Sequence, residues 1–335
     1  MGDPGIKAQQ IQPKQPLAMW LYLAAFLGLY LLCRWYREKQ ILSHLTEKYV
    51  FITGCDSGFG NLVARQLDAR GLRVLAGCFT EEGAKKLKEA TSQRLQTISL
   101  DVTKTESVAQ AAAWAKGIVG DKGLWGLVNN AGISIPTAPN EWLTKEDFQK
   151  ILDINLLGVF DVTKHMLPLL RKAKGRIVNV ASVMGRVSFF GGGYCPSKYG
   201  VEAFSDSLRI ELARFGVKVC IIEPGYFQTA VTNEKLLVDT FTRLWDRLPD
   251  EIKHAYGERY FEGMKKGTAE MQAHCNPDLS LVTNCMEHAL TAVYPRKRYS
   301  AGWDAKLFYI PMSYMPVLVH DLVFGWSYPK PAQTS

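Results

Sequence analysis

Hydrophobic positions along this chain come in blocks of two lengths. The first block is an uncharged run of seventeen residues, Leu17 to Cys33, which stands at the lower limit for a helix that crosses a bilayer. Trp20, Trp35 and Tyr36 mark its ends as interfacial anchors. After it the apolar runs are short and continuous: Tyr49–Thr53, Arg73–Gly77, Leu95–Asp101, Leu124–Asn129, Arg176–Ala181 and Val217–Glu223. These predict strands, and the stretches between them, beginning with Gly58–Arg70, predict helices. Buried strands alternating with helices predict an α/β fold, a doubly wound parallel sheet covered on both faces, in a single domain behind an anchor helix. Such sheets take ligands beyond the carboxyl ends of their strands.

Composition fits that picture. A chain of 335 residues, 47% hydrophobic, can bury the core of one large α/β domain. The net charge of +8 would permit anionic partners. However, Lys7, Lys14, Arg34, Arg37 and Lys39 all flank the apolar run, and no basic stripe carries interleaved aromatics. The charge therefore reads as membrane bias, with no nucleic acid partner. Tyr30–Arg34 offers no small-residue cleavage site, so the run is expected to stay as an anchor for a lipid bilayer rather than leave as a signal peptide. The excess of Arg34, Arg37 and Lys39 after it places the following domain on the cytosolic side. Residues 1–16, rich in Gln, Pro and Lys, are expected to form a disordered extension. The seven cysteines show no paired spacing, which predicts free thiols and no metal site. The tail, 303–335, is apolar but broken by Pro311, Pro316, His320 and Asp321, which predicts an interfacial segment rather than a second span.

The candidate chemistry lies at the predicted strand ends. Thr53–Gly60, TGCDSGFG, follows the first strand and opens a helix. There Gly54 permits the turn, Gly58 admits a pyrophosphate and Gly60 allows close packing, while the helix N-terminus offers N–H groups to phosphate. Its T-G-x-x-x-G-x-G spacing departs from G-x-G-x-x-G. Asp101–Val102 ends the third strand, with a carboxylate suited to an adenine amino group; Asn129–Gly132 ends the fourth and Pro224–Gly225 the sixth. Tyr194 and Lys198 stand at i and i+4, twelve positions after Ser182 in the case of Tyr194. On one helix face the ammonium would favour the phenolate, bringing a phenol of pKa about 10 towards neutral pH. Pro196 between them fits a first helical turn. Gly77–Thr80 at the end of the second strand carries no charge, and Asp56 in the turn would repel a 2′-phosphate. NAD is therefore expected over NADP. Large apolar residues of 227–285, including Phe241, Trp245, Tyr256, Tyr260, Phe261 and Met264, suit a bulky apolar ligand.

Taken in order, TGCDSGFG, DVT at 101–103, NNAG at 129–132, Asn155, Ser182, Y-x-x-x-K and PG resemble the short-chain dehydrogenase/reductase family over about residues 48–299. CDSGFG, GLWGLVNNAG, FGGGYC, SKYGVEAFSDSLR and RYSAGWDAK resemble its microsomal retinol dehydrogenase and 3α/17β-hydroxysteroid dehydrogenase branch. The resemblance implies a Rossmann-like domain at 48–302 and a catalytic set of Asn155, Ser182, Tyr194 and Lys198. In it Tyr194 takes the hydroxyl proton, Ser182 holds the substrate oxygen, Lys198 lowers the tyrosine pKa and binds the nicotinamide ribose, and Asn155 orders a water. It implies cofactor contacts from Gly54, Asp56, Ser57, Gly58, Phe59, Gly60, Asp101, Val102, Asn129, Ala131, Gly132, Tyr194, Lys198, Pro224, Gly225 and Thr229, the last at the nicotinamide carboxamide. The implied reaction is oxidation of all-trans-retinol to retinal with NAD, in the endoplasmic reticulum membrane, by a chain that dimerises through the helices around Asn155 and Tyr194. Hydroxysteroid oxidation, NADPH-linked carbonyl reduction and a silent nucleotide-binding scaffold remain open alternatives.

Overall fold

The computed structural model describes residues 16–326 and 328–333. Most of the expected 1–16 extension lies outside these. The backbone falls into two compact units, one ending at Leu42 and taking in Ala292–Tyr294, the other comprising 43–291 and 295–335. The first is dominated by α1 (Pro16–Glu38). This helix extends past the uncharged run, because Arg34 to Glu38 contain no breaker and Arg34 Nε pairs with Glu38 Oε1 at 2.9 Å. At 23 residues it is about 34 Å long. Among the described residues, it is the one helix long and apolar enough to cross a membrane.

The second unit runs β1 (Tyr49–Thr53), α2 (Gly58–Ala69), β2 (Arg73–Cys78), α3 (Glu81–Glu89), β3 (Gln96–Ser99), α4 (Thr105–Val119), β4 (Gly126–Asn129), α5 (Lys145–Leu152), α6 (Gly158–Ala173), β5 (Arg176–Val180) and α7 (Tyr194–Leu212). It continues with β6 (Lys218–Pro224), α8 (Glu234–Asp246), α9 (Asp250–Tyr256), α10 (Glu258–Ala273), α11 (Ser280–Thr291), β7 (Arg298–Ala301), α12 (Ile310–Met312) and α13 (Val317–Trp326). The strands form one parallel sheet in the order β3-β2-β1-β4-β5-β6-β7. All six expected strands are present, the third and fourth shorter than their apolar runs. The seventh was not expected. Its sequence, RYSA, is short and polar, and it is a strand because it pairs with the edge of β6, Ile221 opposite Arg298.

Strand alternation sorts the core into two layers. Val50, Ile52, Val128 and Val178 face α2 and α11, through Val63, Leu67, Met286 and Leu290. Phe51, Leu127 and Ile177 face α4 and α6, through Val108, Ala115, Val162 and Met166. A third cluster gathers Phe241, Trp245, Tyr260 and Phe261 around the fully buried Trp142, with Tyr256 and Met264 packed on its edge.

The glycine turn opens α2 as expected. Gly54 and Gly58 have φ of +70° and +59°, the left-handed region that favours glycine. Gly60 has ordinary φ but no room, since a Cβ there would overlap Gly54 O and Asn130 Nδ2. Gly60→Ala is therefore expected to lower stability by about 1–3 kcal/mol, the range for overpacking, as read by chemical denaturation.

Candidate active site

Two turns meet at the centre of the sheet, where the strand order reverses between β1 and β4. Thr53 Oγ1 accepts from the N–H groups of Asn130 and Ala131, each at 3.0 Å. Asn130 Nδ2 returns bonds to Thr53 O at 3.0 Å and Gly54 O at 3.1 Å. This clasp floors a cavity of about 430 Å³. Its walls come from the glycine turn (Gly54, Asp56, Ser57, Gly58, Phe59), from Asp101 and Val102 after β3, and from Ala131 and Gly132 after β4. Ser182, Tyr194, Lys198, Pro224, Gly225 and Thr229 complete them.

Each catalytic candidate is held by local structure. Ser182 follows β5, and its Oγ accepts from Met184 N at 3.1 Å, starting the short turn Val183–Gly185. Tyr194 is the first residue of α7, so Pro196 sits in the first turn without a missing bond. The Ser182 hydroxyl acts on the Tyr194 phenol in favour of its charged form. Lys198 is only 6% exposed, and its Nζ donates to Val180 O at 2.9 Å while standing 5.7 Å from the centre of the Tyr194 ring. Burial pushes the phenol up to about 12, against the pull of the Ser182 hydroxyl. Burial also pushes the Lys198 ammonium down to about 8, against the Glu202 carboxylate. The expected lowering of the tyrosine by its neighbour is thus outweighed by desolvation, which disfavours the charged form of both groups.

Asn155 lies in a single π-helical turn, Asp153–Leu157, between α5 and α6, a distortion frequent at functional sites. Its side chain is fully committed. Oδ1 accepts from Ile133 N at 2.8 Å, and Nδ2 donates to Ile133 O at 2.8 Å and Ser197 Oγ at 3.1 Å. The amide therefore braces the β4 turn against α7.

Two expected cofactor contacts lie elsewhere. Asn129 points to the α6 side of the sheet by strand alternation, where Nδ2 donates to Thr163 Oγ1 at 2.9 Å and Asn179 Oδ1 at 2.8 Å. Gly60 packs behind the turn rather than on the cavity. Phe241, Trp245, Tyr256, Tyr260 and Phe261 fill the Trp142 cluster, away from the cavity, whereas Phe227 of the same segment lines it. Tyr194 belongs instead to a second apolar cluster, with Phe190 at a centroid distance of 6.3 Å, that also takes in Phe189 before α7, Tyr226 after β6, and Tyr309 and Met312 near the tail. Phe324 of α13 stacks on Phe189 with centroids 4.4 Å apart. The FFGGG run preceding Tyr194 was a usable signal for Phe189 and Phe190; the tail residues had none.

The cavity suits a dinucleotide. Ser57 makes no side-chain cap on α2, so the first N–H groups of that helix have no side-chain partner there and can serve phosphate. Asp101 Oδ1 accepts from Thr103 N and Oγ1 at 3.0 and 2.7 Å. Partial burial opposes its charge, but these bonds and Lys104 hold the carboxyl below its usual range. Asp56 reaches the end of β2, accepting from Phe79 N and Thr80 N at 2.8 Å and from Thr80 Oγ1 at 2.7 Å. Phe79 and Thr80, which the sequence reading passed over as uncharged, line the cavity as well.

Comparison with known proteins agrees with this geometry. Human retinol dehydrogenase 16 is 68% identical over 94% of this chain and 99% of its own. Human 17-beta-hydroxysteroid dehydrogenase type 6 is 61% identical over the same shares. A crystal structure of a short-chain dehydrogenase from Streptomyces avermitilis superposes with a TM-score of 0.64 at 26% identity, covering 83% of this chain and 96% of that one. Residues 48–237 match the family model described as short chain dehydrogenase. With the sheet, the glycine turn and the Ser–Tyr–Lys cluster in place, the chain belongs to the short-chain dehydrogenase family, oxidoreductases that work with a nicotinamide cofactor.

Proposed function

We propose that this protein is a membrane-anchored alcohol dehydrogenase that oxidises retinol to retinal, and 3α- or 17β-hydroxysteroids beside it, with NAD as hydride acceptor. The reading is carried by one cavity in which Ser182, Tyr194 and Lys198 share walls with the glycine turn and Asp56. A bound nicotinamide would supply the hydride acceptor at that site. The Tyr194 phenolate takes the hydroxyl proton of the alcohol, Ser182 holds its oxygen, and the Lys198 ammonium offsets the charge on the phenolate. Asn155 keeps α7 and the β4 turn in register. The relatives named for retinol and hydroxysteroids support a long apolar substrate, and the aromatic cluster that includes Tyr194 gives such a substrate a matching wall. Because the phenol must ionise while the ammonium stays charged, oxidation is expected to quicken with rising pH until Lys198 sheds its proton.

The test is nicotinamide reduction at 340 nm by membranes carrying the protein, supplied with all-trans-retinol or a 3α-hydroxysteroid. Tyr194→Phe is expected to cut turnover by about 10²–10⁴, the usual worth of a general base, while NAD still binds. Turnover equal to the wild type would remove Tyr194 from the chemistry, and a protein that binds NAD but oxidises neither alcohol would refute the substrate.

Asp56 supports the choice of NAD, since a carboxylate at the end of β2 repels the additional phosphate of NADP. Asp56→Asn removes the charge and keeps one acceptor oxygen, for either the Phe79 or the Thr80 amide. The ratio of kcat/KM for NAD to that for NADP is expected to fall at least about tenfold, an electrostatic difference of about 1.4 kcal/mol; an unchanged ratio would place cofactor choice elsewhere.

The apolar α1 supports membrane anchoring, in our reading in the endoplasmic reticulum with the catalytic unit in the cytosol on the charge bias of Arg34, Arg37 and Lys39. In the tail, Leu318, Leu322 and Trp326 are exposed while Phe324 stacks on Phe189, a member of the cluster that includes Tyr194. We read that segment as an interfacial surface through which a lipid-dissolved alcohol arrives. A chain lacking 317–335 is expected to stay in the pellet after alkaline carbonate extraction and to bind NAD normally, with KM for retinol raised several-fold. Release into the supernatant would shift the anchor to the tail, and an unchanged KM would exclude the tail from substrate entry.

A further inference from the structure

The turn that leaves β6 is held largely by backbone bonds. Gly225 N donates to Ala301 O at 2.9 Å, and Tyr226 O accepts from Asn276 N at 2.9 Å. The Tyr226 N–H is served differently, donating to Asp304 Oδ2 at 2.7 Å. Asp304 opens the π-helical turn Ala305–Tyr309, yet its side chain makes no capping bond to that helix. An aspartate at a helix start ordinarily accepts from its own first turn. This one reaches instead to a segment 78 residues away.

The contact is closer than a single hydrogen bond requires. A Cβ at Gly225 would come within 2.1 Å of Asp304 Oδ2 and 2.3 Å of Oδ1, and a Cβ at Gly302, where φ is +97°, within 2.3 Å of Oδ1. The carboxylate is therefore lodged between two glycines, neither of which leaves room for a side chain. No ion pair joins Asp304 to a lysine, arginine or histidine among the described residues, so the turn and not a cation sets its position.

The clasped turn borders the reacting groups. β5 and β6 pair, and Ala181 N donates to Ile222 O at 2.9 Å, so the chain leaves β6 beside Ser182. Pro224, Gly225 and Phe227 line the cavity with Ser182, Tyr194 and Lys198, while Tyr226 joins the apolar cluster that includes Tyr194. The Tyr226 ring stands 5.8 Å from that of Tyr309, on the helical turn that Asp304 opens. One carboxylate thus sets a wall of the cavity and a member of the substrate-side cluster together. We propose that Asp304 is a positioning residue of the reaction, whose grip on the Tyr226 amide fixes the 224–227 turn as the wall that cofactor and alcohol share with Ser182 and Tyr194. The inference rests on the dehydrogenase reading above.

The experiment uses the full chain solubilised in detergent, and compares the wild type with Asp304→Ala, Asp304→Asn and Asp68→Ala. NADH binding is read by fluorescence, kcat and KM for retinol by steady-state kinetics, and stability by thermal unfolding. Asp68, buried and accepting from Ser92 N at 2.8 Å and Ser92 Oγ at 2.6 Å, is the control for losing a carboxylate clasp outside the cavity. Asp304→Ala is expected to weaken NADH binding at least about fivefold and lower kcat at least about tenfold, because small displacements of a binding wall carry such losses. Asp304→Asn, which keeps an acceptor oxygen for the one amide, is expected to stay within about twofold of the wild type. Asp68→Ala is expected to unfold at lower temperature with NADH binding and kcat unchanged. Unchanged NADH binding and kcat in folded Asp304→Ala would overturn the inference and leave Asp304 as a structural tie, and so would a loss in Asp304→Asn equal to that in Asp304→Ala. Should Asp304→Ala fail to fold, Asp304→Ser, whose hydroxyl is too short to reach the amide, is read in the same way. Failure of the dehydrogenase reading would look different: a wild type that binds no NADH and shows no Tyr194-dependent turnover, in which case the inference falls with it.

Discussion

The hydroxyl of Thr53 ties the first strand to the fourth, and the site depends on that tie. β1 and β4 are neighbours from which the chain winds outward in opposite directions, so the turns leaving them would otherwise diverge around the crevice. Two amides on Thr53 Oγ1 and two returning bonds from Asn130 lock those turns together. The approach is so close that a side chain at Gly54 would come within 2.8 Å of the Ala131 Cα. Glycine is needed at 54 for contact as well as for φ. With the two turns fixed, the N-terminus of α2 faces one side of the cavity and the Ser182–Tyr194–Lys198 cluster the other.

Burial then sets an electrostatic problem. Removing Tyr194 and Lys198 from water drives both towards their neutral forms, the phenol up to about 12 and the ammonium down to about 8. A base that must accept a proton beside a cation needs the reverse. The opposing influences are local: the Ser182 hydroxyl on the phenol, and the Glu202 carboxylate on the ammonium. Glu202 in turn belongs to an ion network that joins α7, the Ser182 turn and β6 through Arg298.

The substrate side shows how tertiary packing redistributes residues of like chemistry. The large aromatics of α8, α9 and α10 serve Trp142, whose ring contacts Phe241, Trp245, Tyr256 and Tyr260 with centroids 5.0–6.0 Å apart. The aromatics around Tyr194 come from three separate stretches, before α7, after β6 and near the tail. Asp304 joins the last two, accepting from Tyr226 N at 2.7 Å, so the tail is fastened to the turn that follows Pro224 and Gly225.

The sequence by itself determined what depends on local spacing. Continuous apolar runs specified six strands, a glycine turn between strand and helix specified the phosphate-facing loop, and Tyr194 with Lys198 at helical spacing specified one catalytic face. It also fixed α1, since a long uncharged run with basic flanks has few other destinations. Only the tertiary structure decided the rest, because those features depend on what residues distant in the chain bring together. Asn129 turned inward because the alternation of β4 gave it Thr163 and Asn179 as partners. Asn155 became a brace because Ile133 and Ser197 met at its amide. RYSA became a strand because β6 offered an open edge. The protonation preferences of Tyr194, Lys198 and Glu202 were undetermined by spacing, since desolvation is a property of the surrounding fold and not of any segment of the chain.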